Sequence, residues 1–450
     1  MLPKDFRGYL DYLEEHGSLL RVTQEVDVRH QIAAGIRKVS DTDGPALLFE
    51  NVRGYPGWRV AGGLYATRRL MALALETEPD ERALLQRYLD CDQKRVKPRL
   101  VDTGPVKEVV LTGDDVDLGR LPILTYSEKD GGPYLIPAAD IARHPDTGIQ
   151  NVTIDRRMVL GRDRTALVGS PPKQTGIIIT AGEQRGEGVG VAAVIGAPPE
   201  LTLASQVKAP LGVDETEIAG ALRGEPIEVV KCETIDVNVP AHAEVIIEGV
   251  TVPGERALDG PFGEYRGMYA DADGSIGVNA FVVKITAITM RKDPIFQGIA
   301  CGMPMTEDHY LEKWALTAAA YRVVSALAPS PDYITALTFS RASAPHCLVV
   351  SIRKWSERAP LDVIYTVLSH YLTISMVIVV DDDIDVYDPA DVEWAWVTRV
   401  SPGRDIVLLR GDAHGRMNQH RWGLDATAPL AEREWYAKAK PPGVDDVTYL

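Results

Sequence analysis

The chain has 450 residues, 45% hydrophobic and 25% charged, the balance of a globular protein too long for one ordinary core. Its 64 acidic residues against 48 basic ones leave a formal charge of -16, which argues against nucleic acid or an anionic membrane as main partner. Four scattered cysteines without a CxxC pair argue against a zinc or disulfide framework, and no apolar run approaches the roughly 20 residues of a membrane span.

In chain order, the acidic N-terminus does not read as a secretory leader, so a cytoplasmic location is expected. Phe6, Leu10, Tyr12 and Leu13 instead recur at helical spacing over 4–16, ending at Gly17. A strand over 19–26, a helix near 30–40, the apolar strand 46–50 and two charged helices across 66–92 follow. They make residues 1–112 a small α/β region, in which KPRLVDTGP (97–105) reads as a linker. Residues 113–304 are strand-rich. Runs at 151–161, 189–197, 226–235, 243–250 and 279–290 carry β-branched residues between Gly and Pro boundaries, as in an antiparallel or mixed sheet or a barrel. Short helices fit 199–206 and 214–223.

Residues 305–427 alternate again. Helices at 307–327, 360–371 and 389–397 separate strands at 333–339, 348–352, 376–384 and 405–409, the pattern of an α/β domain with a mostly parallel sheet. The polar tail, 428–450, is expected to be helical and to reach a partner subunit.

Four places can carry chemistry. Asn151-x-x-x-x-Arg156 sets a fixed cation, able to grip a carboxylate bidentately, five residues after an amide. Residues five apart on a strand face opposite ways, so the two serve linked pockets only if the strand bends between them. The competing reading is a surface arginine and a turn asparagine. Asp259-Gly-Pro-Phe-Gly-Glu264 puts two carboxylates around a bend fixed by Gly and Pro. Close carboxylates repel, and one of such a pair can hold a proton and act as an acid, unless both are solvated loop acids. Glu215 follows Asp214, a helix N-cap candidate, and reads by default as a helix-start acid. Asp381-Asp-Asp-Ile-Asp385, at the end of an apolar strand, can bind a hard cation but reads better as a solvated loop. GEGVG at 186–190 is not a dinucleotide turn, and neither HExxH nor GxSxG occurs.

Taken together, DFRGYLDYLEEHGSLLRV, KDGGPYLIPAADIARHPDTGIQNVTIDR, PLGVDETEIAGALRGEP, DGPFGEYRGMY and VVDDDIDVYDPADVEWAW resemble the UbiD family of decarboxylases, in order and over nearly the whole chain. That resemblance implies a mixed α/β fold. Its parts would be an N-terminal α/β region, a central split β-barrel binding prenylated FMN, and a C-terminal α/β domain with a terminal helix. It implies reversible, non-oxidative loss of CO2 from an aromatic, heteroaromatic or α,β-unsaturated acid through a covalent prenylated-FMN adduct. Arg156 would hold the carboxylate, Glu264 would donate the proton, and Asp259 would tune the pair, where the family more often has Glu. Asn151, Gln174 and Glu215 match the metal ligands for Mn2+ or Mg2+, with Gln174 in place of the family's histidine. Potassium is a further expected ion. Thr153, Ile154 and Ser205 match flavin contacts. The family's phosphate-side lysine falls on Ser375, which leaves Lys173 or Arg399 to supply that charge.

The resemblance also implies a flavin prenyltransferase as cofactor supplier, and a homodimer or a hexamer. Two rival readings stand beside it. One is a conventional FMN oxidoreductase, against which the lack of a nicotinamide-binding signature counts. The other is a catalytically weak flavin-binding or assembly protein, which Gln174, Asp259 and Ser375 would motivate.

Overall fold

The computed structural model describes residues 3–91, 94–169, 173–264, 266–269, 278–303, 305–340, 345–409, 421–439 and 441–443. The fold is mixed α/β, in two compact units: the first runs to Ala319 and the second takes nearly all of the remaining chain. Among the described residues no helix is long and apolar enough to cross a membrane.

The first unit is built on a nine-stranded, wholly antiparallel sheet. Its path runs Tyr134–Leu135, Arg157–Val159, Arg164–Leu167, Val278–Met290, Val245–Asp259, Gly190–Ile195, Ala139–Arg143, Gln150–Thr153, with Val109–Thr112 added on Val278–Met290. The two longest strands, Val245–Asp259 and Val278–Met290, form its spine, and Val245, Ile246, Ile247, Val283 and Ile288 are fully buried in the core.

The run 151–161 is not one strand. Gln150–Thr153 ends the path at one side, while Arg157–Val159 lies next to the opposite end. Four Cα steps from Thr153 to Arg157 reach at most about 15 Å. A flat sheet would set those strands six spacings apart, about 29 Å. The sheet must therefore curl until Ile154, Asp155 and Arg156 bridge its two ends.

Other departures have local causes. Part of the supposed linker, Arg99–Leu100, pairs in parallel with Glu228–Lys231. Gln174–Glu183 is a helix despite three consecutive isoleucines, because Ile178, Ile179 and Gly182 are buried in the unit's core, and packing overrides a weak propensity. A four-stranded sheet, Leu19–Val22, Ala46–Phe49, Arg59–Gly62 and Ile295–Gly298, recruits its last strand from far along the chain.

The second unit holds a five-stranded sheet in the order Ile334–Phe339, Cys347–Ile352, Met376–Asp381, Arg421–Ala426, Ile406–Leu409. Its inner pairings are parallel and both edges antiparallel, so it is mixed rather than mostly parallel. Val349, Ile378, Val380, Leu424 and Ala426 pack on Val392 and Ala395 of the helix Pro389–Arg399. Within the tail expected to be helical, Leu430–Tyr436 forms a 3-10 helix.

Candidate active site

The strand Val245–Asp259 ends by delivering Asp259 to the bridge between the sheet ends, where Arg156 stands. Arg156 Nε and Nη2 donate to Asp259 Oδ2 at 2.9 and 2.8 Å, and Arg156 Nη1 donates to Glu264 Oε1 at 2.5 Å. The shorter aspartate thus reaches the guanidinium. Asp259 is fully buried, whereas the Glu264 side chain keeps 21% exposure. The Arg156 guanidinium lies 4.8 Å from the centre of the Phe262 ring, which packs on Tyr134.

Burial pushes the Asp259 carboxyl above its ordinary range; Arg156 opposes that rise, while Glu264 and Asp130 add to it. Burial also works against the Arg156 charge, but the two carboxylates outweigh it and hold the guanidinium firmly cationic. Asp259 Oδ1 is buried and has no hydrogen-bond partner among the described residues.

A second cluster forms on the strand Gln150–Thr153. Asn151 Nδ2 donates to both Glu215 carboxylate oxygens at 3.3 Å, and the Val152 N–H donates to Glu215 Oε2 at 2.7 Å. Thr175 Oγ1 donates to Asn151 Oδ1 at 3.3 Å, which sets the start of the helix Gln174–Glu183 against Asn151. Gln174 Nε2 donates to Ala209 O at 2.8 Å. Asp214 caps the helix Glu215–Arg223 as expected, but Glu215 is no solvated helix-start acid. It is buried, and burial pushes its carboxyl up to about 8 against the Val152 amide.

Among the described residues no three His, Cys, Asp or Glu side chains cluster to hold a metal. Asn151 and Glu215 stand together and offer an amide oxygen and a carboxylate, donors of the kind a hard divalent cation takes, while the Gln174 side chain donates to Ala209 O.

Thr153 and Ile154 follow on the same strand end, half-buried, and Thr153 pairs with Asp140. Ser205 is buried and spends its hydroxyl on Thr202 O at 2.7 Å. Lys173 pairs with the buried Asp155. Desolvation opposes the Lys173 charge, yet Asp155 outweighs it, and Arg156 and Glu264 lie near enough to act on it too. The charged residues on either side of Arg156 were not singled out from sequence. Arg157 is fully buried with Asp140, whose carboxyl burial pushes up to about 7. Their signal was present in IDRRM, where three charges in a row sit inside a β-patterned stretch.

In the second unit, Ser375 directly precedes Met376–Asp381. Arg399 does not have a charge to spare for a phosphate. It donates to Asp381 Oδ2 at 2.8 Å, to Asp383 at 2.7 and 3.0 Å, and to Tyr436 O at 3.0 Å. The acidic run is accordingly not a simple solvated loop, since Asp381 is buried and Asp382 pairs with Arg433.

Three domain families match the chain: the 3-octaprenyl-4-hydroxybenzoate carboxy-lyase N-terminal domain over residues 10–86, its Rift-related domain over 99–304 and its C-terminal domain over 309–423. The anhydromevalonate phosphate decarboxylase of Methanosarcina mazei is 32% identical over 448 residues, 97% of this chain and 99% of that protein. The phenolic acid decarboxylase of Bacillus subtilis is 31% identical over 450 residues, 96% of this chain and 94% of that protein. Among solved structures, an evolved dimeric form of the UbiD-class enzyme HmfF from Pelotomaculum thermopropionicum, in complex with prFMN, superposes with a TM-score of 0.87 at 35% identity, covering 99% of both chains.

Proposed function

This chain belongs to the UbiD family of carboxy-lyases, and on that premise we propose that it takes CO2 from an aromatic, heteroaromatic or α,β-unsaturated carboxylic acid, using prenylated FMN and a divalent cation. The observation that supports this most is the clasp of Arg156 between two carboxylates of unequal burial. Asp259 anchors one edge of the guanidinium and is shut from solvent. The Nη1 edge is held only by Glu264 among the described residues, and Glu264 is partly exposed and so can be exchanged.

A substrate carboxylate takes that edge, since a guanidinium fork suits it bidentately. Glu264 is thereby released from its ion pair, picks up a proton from solvent, and stands beside the carbon that loses CO2. It delivers the proton there, replacing CO2 by hydrogen. Prenylated FMN, when bound, supplies the sink for the electron pair that CO2 leaves behind. Thr153, Ile154, Ser205 and Lys173 would line that flavin. Asn151, Gln174 and Glu215 would hold Mn2+ or Mg2+. The holoenzyme is read as a homodimer supplied with cofactor by a flavin prenyltransferase.

The test is co-expression with a flavin prenyltransferase, followed by cofactor mass, visible spectrum, metal content and a panel of benzoic, heteroaromatic and acrylic acids. Turnover of one class with prenylated FMN bound is expected. Glu264→Gln should keep the flavin and lose at least about 100-fold in kcat; near-normal turnover in that variant sinks the assignment of the proton donor. Plain FMN with nicotinamide oxidation would indicate an oxidoreductase. Bound prenylated FMN with no turnover of any acid would indicate a flavin-binding or assembly protein.

A further inference from the structure

The loop carrying Glu264 is gripped from outside by a segment with no role in the chemistry above. Residues 124–134 form a closed excursion: the Tyr134 N–H donates to Leu124 O at 2.8 Å, and the two residues pair as an antiparallel bridge. The excursion is itself tied down, because the His30 N–H donates to Thr125 O at 2.9 Å and the Thr125 N–H donates to Val28 O at 3.2 Å.

Within it lies Asp130. Its Oδ2 accepts the N–H groups of Tyr126 and Ser127 at 3.1 and 2.7 Å, which fix the carboxylate in place. Its Oδ1 accepts the Gly263 N–H at 2.9 Å. Gly263 immediately precedes Glu264. Alongside, the Gly131 N–H donates to Pro261 O at 2.7 Å and the Tyr134 hydroxyl donates to the same oxygen at 3.4 Å.

The fit between the two segments is close. A Cβ on Gly263 would stand 2.4 Å from Ser127 Oγ, and one on Gly131 would stand 2.4 Å from Gly260 O. Beyond Glu264 the chain turns back at once, with the Gly267 N–H donating to Glu264 O at 2.7 Å and the Glu264 N–H donating to Met268 O at 2.9 Å. Among the described residues, Asp130 is the side chain that fixes the backbone just before Glu264.

We infer that Asp130 is a positioning residue for Glu264: through the Gly263 N–H its carboxylate sets the distance between the Glu264 carboxyl and Arg156. This rests on the decarboxylase reading for its catalytic meaning, though not for its geometry. A displacement of about 1 Å at a reacting group can cost on the order of 100-fold in rate. Removing a charge-assisted hydrogen bond from a backbone amide should speed local exchange about tenfold or more. Asn at 130 keeps one acceptor oxygen and Ala keeps none, so the two variants grade the effect.

The experiment compares wild type, Asp130→Asn and Asp130→Ala as matured holoenzymes. Hydrogen exchange is read over peptides spanning 259–264, with kcat, KM, flavin content and Tm measured on the same preparations. The expected result is faster exchange at Gly263 in Asp130→Asn and faster still in Asp130→Ala. kcat should fall in the same order, by about tenfold and about 100-fold, with KM within about twofold and flavin content unchanged.

Unchanged exchange at Gly263 overturns the proposal, as does faster exchange with undiminished kcat. Uniformly faster exchange, with flavin content and Tm falling together, overturns it in favour of a purely structural aspartate. Wild-type holoenzyme idle on every acid sinks the decarboxylase reading instead, and the exchange arm still decides whether Asp130 sets the loop.

Discussion

Arg156 holds two carboxylates, and the buried one is the shorter residue. Asp259 is fully enclosed and its carboxyl is raised by burial, and a neutral isostere of the same shape leaves Arg156 with Glu264 as its remaining charged partner while loosening the anchored edge of the guanidinium. Asp259→Asn should keep its fold and flavin while kcat falls about 100-fold; thermal melts and turnover on one preparation check both halves. Gln174 offers only an amide oxygen to a cation, where an imidazole binds transition metals more tightly. Gln174→His should tighten Zn2+ binding about tenfold or more, read by titration of the apoprotein with Zn2+ against a chromogenic competitor. Unchanged affinity would remove residue 174 from the ligand set. At this scale the family resemblance, more than spacing alone, singles out Asn151, Arg156 and the Asp259–Glu264 pair, which the structure brings into two clusters. The sequence was not legible where burial decides. Glu215 reads as an ordinary helix-start acid because nothing local announces that its carboxylate turns inward to Val152. Arg399 reads as a spare cation because its partners depend on how a helix lies over the acidic strand end.

Among the elements, the helix Glu307–Ser325 begins with a fully buried glutamate. Glu307 accepts the N–H groups of Gly63 and Tyr65 at 3.0 and 3.1 Å, and so ties the helix to the turn after Arg59–Gly62. Burial nevertheless outweighs those amides and pushes the carboxyl from 4.5 up to about 7. The folded state therefore binds this proton more tightly than the unfolded chain. Its contribution is fully present below about 4.5 and is lost as pH rises through about 7. Glu307→Gln cannot ionise, so its stability relative to wild type should improve by up to about 3 kcal/mol between pH 5 and pH 8. Urea denaturation at both pH values measures this, and a pH-independent difference would show that Glu307 does not titrate there. Most strands and helices were readable from periodicity. The division of 151–161 was not, because Gln150–Thr153 and Arg157–Val159 differ in partners rather than in composition. The helix Gln174–Glu183 was hidden by isoleucines whose burial, not propensity, decides its conformation.

Across the whole molecule, the second unit holds a buried charge cluster of its own that the proposed chemistry does not use. Arg399 and Asp381 are both buried, and Asp381 also accepts the Ala428 N–H at 2.7 Å. Arg399→Met would leave Asp381 without its main counter-charge and should destabilise that unit by about 3–5 kcal/mol, seen as faster hydrogen exchange along Met376–Asp381; an unchanged protection pattern would mean the cluster contributes nothing net.

In the first unit, the three residues Ile154, Asp155 and Arg156 connect the strand at one end of the sheet to the strand next to its other end. Hydrogen-bond ladders breathe, and packed layers shift by fractions of an ångström as side chains rearrange. A covalent tether of fixed contour length does not. The candidate cation ligand Asn151 and the carboxylate-gripping Arg156 are thus gauged against each other by the backbone itself, and fluctuations that open the curled sheet elsewhere leave their separation bounded.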